Sequence, residues 1–130
     1  MNSITEKIKE MPGFACAGPV SEESICAFEK NLNLRFSSDY RDYLKEFGFA
    51  SFSGHEWTGI SDSKRLSVAE VTAAEREKDP FITEDMYVIE KTNMDDAVIW
   101  QDAAGKVFQT SAGKPPVLVC GSLKDYIERF

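Results

Sequence analysis

At Gly48 the apolar residues of this chain change their spacing, and the change excludes both an all-helical and an all-β fold. Upstream the spacing is helical. Ile4, Ile8 and Met11 stand at i, i+4 and i+7 before Pro12-Gly13, and Ile25, Phe28 and Leu32 share one face of a helix over about residues 22–32. Ser21 caps that helix, and Glu22 and Glu23 suit the positive end of its dipole. Leu34-Arg35-Phe36 is an extended crossing. Ser37 or Ser38 then opens a third helix with Tyr40, Tyr43, Leu44 and Phe47 on one face and Gly48 as its stop.

Downstream, Phe49–Phe52 and Glu56–Ile60 read as short strands around Ser53-Gly54-His55. Ser67 and Glu70 form a capping box for a helix whose narrow apolar edge, Val68 and Val71, fades into charged residues before Pro80, so this helix is expected to be mostly solvated. Met86–Ile89, Ala97–Gln101 and Lys106–Thr110 alternate with turn residues as an antiparallel meander. Pro115-Pro116 introduces an extended run, Val117–Cys120, and Ser122 opens a last helix that buries Leu123, Tyr126, Ile127 and Phe130. With 130 residues, 42% of them apolar, the expectation is one α+β domain over residues 1–130: a β-sheet meander, antiparallel or mixed, packed with N-terminal helices and a C-terminal helix.

No motif spells out a reaction. The single histidine lies in His55-Glu56-Trp57-Thr58, not in a His-Glu-x-x-His helix, and Gln109-Thr110-Ser111-Ala112-Gly113 lacks the first Gly of a nucleophile elbow. Gly113-Lys114 runs into Pro115 where a phosphate-binding loop needs Ser or Thr. Glu84-Asp85 and Asp95-Asp96 lack the alternating oxygen ligands and Gly of a calcium loop, and read as solvated turn carboxylates. Cys16, Cys26 and Cys120 form an odd set with no Cys-x-x-Cys spacing. The expectation is therefore no catalytic residues, no metal and no cofactor. Reduced thiols, with neither a secretory h-region nor a membrane span in the sequence, point to a cytoplasmic protein.

Charge carries more information. The chain has 22 acidic and 15 basic residues, and its net charge of −7 opposes direct binding to nucleic acid or an anionic membrane. Residues 70–102 hold ten acids (Glu70, Glu75, Glu77, Asp79, Glu84, Asp85, Glu90, Asp95, Asp96, Asp102) against Arg76, Lys78 and Lys91, which accounts for the whole −7. Such a directional field suits docking of a basic protein, with Glu84, Asp85, Asp95, Asp96 and Asp102 as candidate contacts. Glu56 and Trp57 follow a Gly-His turn, where an aromatic can serve either as an interface anchor or as core.

The helix carrying Ile25 and Glu29, the run Asn31 to Phe36, the segment Asp39-Tyr40-Arg41-Asp42-Tyr43-Leu44 with its closing Gly48, and the later Trp57-Thr58-Gly59-Ile60 together resemble the SUKH superfamily of fungal cell-wall assembly regulators and bacterial immunity proteins. Asn33 stands where that pattern has Gly and Ser37 where it has Pro. Both changes are mild, since Asn tolerates left-handed backbone angles and Ser is a good N-cap. The resemblance implies a sheet-centred α+β domain without catalytic residues. It also implies an immunity protein that neutralises a cognate toxin, often a basic nuclease, with no small-molecule substrate. The alternative it implies is a regulatory interaction scaffold like the fungal members.

Overall fold

A serine opens four of the five helices in the structure, a computed structural model that describes residues 4–92, 97–111 and 114–129. Ser21 caps α2 (Glu22–Leu32), Ser37 caps α3 (Ser38–Phe47), Ser67 caps α4 (Val68–Lys78) and Ser122 caps α5 (Leu123–Ile127), each hydroxyl accepting the backbone N–H three residues on. The serine at 67 makes only part of the expected box, because its own N–H bonds to Ser63 O. Helix α1 (Ile4–Lys9) stops two residues before Met11, the last position of its apolar spacing. Asn33 ends α2 at φ 55°, the left-handed geometry for which Gly or Asn is suited.

Between helices run β1 (Ala15–Cys16), β2 (Ala50–Phe52), β3 (His55–Trp57), β4 (Tyr87–Lys91), β5 (Val98–Gln101), β6 (Val107–Thr110) and β7 (Val117–Cys120). They form two antiparallel sheets, in the orders β1-β2-β3 and β4-β5-β6-β7. The α+β class is as expected, but β1 is new. Ser53 and Gly54, at φ 51° and 78°, form the tight turn between β2 and β3, so His55 belongs to the strand rather than to the turn.

Strands β4 and β5 of the four-stranded sheet are covered on both faces. Tyr87, Ile89, Ile99 and Val107 face the main core with α1, α2, α3 and α5, while Met86, Val88, Val98 and Trp100 alternate with them to build a second core with Val71 of α4. This corrects the expectation that α4 is mostly solvated: Val68, Val71, Thr72 and Glu75 are buried, and Thr72 Oγ1 accepts Val88 N at 3.0 Å. The apolar edge of α4 is narrow because a threonine and a glutamate complete it.

The two sheets meet at Thr58, whose N–H donates to Ile89 O at 2.7 Å and whose hydroxyl donates to Val88 O at 2.6 Å. Helix α3 clamps this seam. Tyr40 Oη donates to Thr58 O at 3.1 Å, and Tyr43 Oη accepts Ala50 N at 2.8 Å. Beside the seam, Tyr87 Oη accepts Ser37 N at 2.9 Å and donates to Gln101 Oε1 at 2.7 Å. Gln101 Nε2 then reaches Asp39 Oδ1 at 3.1 Å, and Asp39 Oδ2 accepts Leu123 N at 2.9 Å. Across the outer side of α3, Arg41 pairs with Glu29 at 2.6 Å and also with Glu22, while Glu29 Oε2 accepts Phe36 N at 2.9 Å. The Asp-Tyr-Arg run is thus a set of struts. Gly59 has its own constraint, since a Cβ there would lie 1.9 Å from Gly48 O.

Two measurements follow from this packing. Gly59→Ala must displace backbone and is expected to cost about 3 kcal/mol or more, whereas Tyr43→Phe, which strands the Ala50 amide, is expected to cost about 1–3 kcal/mol; urea unfolding of each variant checks both. The second is alkaline. Burial raises the Tyr40, Tyr43, Tyr87 and Tyr126 hydroxyls above their ordinary range. A raised folded pKa means the folded state holds the proton more tightly. Stability is therefore intact below about pH 10 and falls above it, by about 1.4 kcal/mol per pH unit for each tyrosine. Tyrosinate absorbance should rise together with loss of circular dichroism, not before it.

Candidate partner-binding surface

Folding separates the acids of residues 70–102 into two populations. Glu75 and Glu90 are buried and do not contribute to an open acidic face. Glu75 is matched by Lys78 and Lys91 at 3.2 and 3.3 Å. Glu90 holds His55 Nδ1 at 3.1 Å from both carboxylate oxygens and accepts the Tyr126 hydroxyl, so it ties β3, β4 and α5 together. Burial first, and then the adjacent Glu90 carboxylate, push the Tyr126 hydroxyl upward. Two of the ten acids counted in that segment therefore drop out of any docking field.

Glu70, Glu77, Glu84 and Asp85 are exposed, and Asp79 and Asp102 are partly exposed. The strand register pairs Tyr87 with Gln101, which sets Asp102 at the same end of the sheet as Asp85 and Glu84. Arg76 fixes the loop there: its Nη2 donates to Glu84 O at 2.6 Å and to Met86 O at 3.1 Å, fastening the α4–β4 connection onto α4. Asp102 also serves its own turn, accepting Lys106 N at 2.9 Å. Asp95 and Asp96 lie outside the described residues.

Glu56 lies elsewhere. It is exposed, paired with Arg65, and lines a cleft of about 790 Å³ with His55, Glu90, Lys91 and Thr92. His55 is held there by a buried carboxylate, which orients the ring, and Thr58 at the cleft wall has its hydroxyl committed to Val88 O. Among the described residues no group of three or more His, Cys, Asp and Glu side chains is arranged to hold a metal, and no helix is long and apolar enough to cross a membrane.

Trp57 is not a surface anchor. It is fully buried, 5.0 Å from the Phe52 ring and 5.3 Å from the Tyr43 ring, because β3 turns that side of the strand into the main core. The aromatic that does reach solvent in this region of the chain is Phe81, 48% exposed. Its N–H is held by Asp79 Oδ1 at 2.9 Å, so the ring stands on a built turn in the same connection as Glu84 and Asp85. The sequence contained a signal for it: Phe81 follows Pro80, belongs to neither apolar period, and sits inside the acidic run.

Comparison with known proteins bears on the whole chain. No curated protein matches it, but a family model described as SUKH_5, SMI1-KNR4 cell-wall, matches residues 1–129. The struts built from Glu29, Asp39, Tyr40, Arg41 and Gly59 account physically for the motif residues that carried the resemblance. The chain belongs to the SMI1-KNR4 family of the SUKH superfamily.

Proposed function

We propose that this protein is a non-enzymatic immunity protein that binds a basic toxin domain, such as a nuclease, through the acidic end of the sheet. The observation that carries the reading is the pinned connection after α4, which carries the half-exposed Phe81 and, three and four residues on, the exposed Glu84 and Asp85. An exposed aromatic gives a partner an apolar anchor, and surrounding carboxylates steer a basic surface onto it. A nuclease must be basic where it grips phosphate, so an acidic inhibitor can occupy the same groove. Membership of a family of protein-interaction domains supports the choice of a protein partner. A regulatory scaffold is the second reading, favoured by the cell-wall description of the matching family.

Co-expression with toxin domains encoded in the same genome is expected to rescue growth against one of them; failure against all of them, with capture of a housekeeping protein instead, would favour the scaffold. Binding kinetics with that toxin then test the surface. Glu84→Gln, Asp85→Asn and Asp102→Asn together are expected to slow association about tenfold at low salt, with the effect shrinking as the Debye length falls to about 8 Å at about 0.15 M. Phe81→Ala is expected instead to speed dissociation, with little salt dependence and unchanged melting, because the ring is half exposed. An unchanged, salt-insensitive association rate in the triple variant would remove the acidic end from the interface.

A further inference from the structure

The connection between α4 and β4 is a small folded unit with few ties to the rest of the molecule. Phe81 N–H donates to Asp79 Oδ1 at 2.9 Å, Ile82 N–H to Asp79 O at 3.5 Å, Met86 N–H to Thr83 O at 3.2 Å, and the Thr83 hydroxyl to Asp85. All of these bonds close within residues 79–86. Two kinds of attachment reach outward. Ile82 and Met86 pack on the second core, and Arg76 Nη2 donates to Glu84 O at 2.6 Å and to Met86 O at 3.1 Å. Among the described residues, Arg76 supplies the one side chain from outside the connection that hydrogen-bonds it. Its Nε is buried without an acceptor, and no described carboxylate pairs with it, although Glu77, Asp79, Glu84 and Asp85 are near in sequence. Two charge-assisted bonds to carbonyls are thus set against a buried donor left unmade. Such a tie is strong enough to fix a conformation and weak enough to open without global unfolding.

We propose that Arg76 is a latch on this connection: it holds the conformation that presents Phe81, and so acts as a positioning residue for the partner through the backbone of Glu84 and Met86. The proposal rests on the reading of the acidic end as the partner-binding surface, and adds what keeps that surface formed before the partner arrives. With the latch open, only the closed fraction can bind, so apparent affinity falls with that fraction. Charge alone predicts the opposite. Removing a cation from an acidic surface strengthens attraction to a basic partner, so the direction of the change separates a latch from a local charge.

The test begins without a partner, by native-state hydrogen exchange on the full chain. In Arg76→Met the Phe81 and Met86 amides are expected to accelerate by about tenfold or more beyond any change at Val88, whose amide is held by Thr72 Oγ1. Arg76→Lys keeps the charge and a donor for the two carbonyls, and is expected to recover part of the protection. Unchanged exchange at Phe81 and Met86, or equal acceleration at all three amides, would overturn the latch. This arm needs no toxin, so a failed latch and a failed growth rescue are told apart. Binding is then measured with the toxin domain that co-expression identifies. Arg76→Met is expected to weaken it by about fivefold or more, and Arg76→Lys by less. Unchanged or tighter binding of Arg76→Met would overturn the positioning role even where exchange accelerates.

Discussion

Three tyrosine hydroxyls hold this fold together where it would otherwise be weakest. The backbone junction between the two short sheets is at Thr58, and the strand ends there carry backbone groups buried away from water. Leaving such groups unpaired costs about 1–3 kcal/mol each, so the seam requires partners from outside the strands. Tyr40 and Tyr43 reach it from one face of α3, one bonding the carbonyl of Thr58 and the other the amide of Ala50. Tyr87 answers from β4 by binding the amide at the cap of α3. Their rings pack on one another and on Phe36 at 4.9–5.5 Å, so the same side chains supply both apolar area and polar satisfaction.

With the main face clamped in this way, the opposite face of the sheet is free to carry α4 and the loop that follows it. That arrangement decides which acids can meet a partner. Glu75 and Glu90 are drawn inward as struts, each with its own cationic or hydroxyl partner, while Glu84 and Asp85 remain outside on a loop fastened by Arg76. The molecule therefore presents an acidic end with an exposed ring in the α4–β4 connection and, at β7, an edge with Val117 and Leu118 exposed.

Much of the fold is legible in the sequence because its signals are local. The serine caps, the helical faces and the left-handed Asn33 depend on neighbours a few residues away. Strand β1 is not legible, being two residues whose ladder partner, β2, lies more than thirty residues downstream. The burial of Glu90 escapes local reasoning for the same reason, since its partners His55 and Tyr126 lie 35 and 36 residues away. Trp57 is ambiguous in sequence because a strand alternates, and only the packing of β3 on α3 decides which face is inward. The acidic run is plain in the sequence; which of its members stay in solvent is not, because that depends on α4 packing against β4.

The claim on which the account rests is that the tyrosine seam makes the two sheets one cooperative unit. Native-state hydrogen exchange measures it directly, through the amides of Ala50 in the first sheet, Thr58 at the junction and Val88 in the second. All three are expected to exchange only through global unfolding, with one free energy and one denaturant dependence. If the Ala50 amide exchanges through a smaller opening while Val88 stays protected, the sheets are separate units and the seam does not hold the fold.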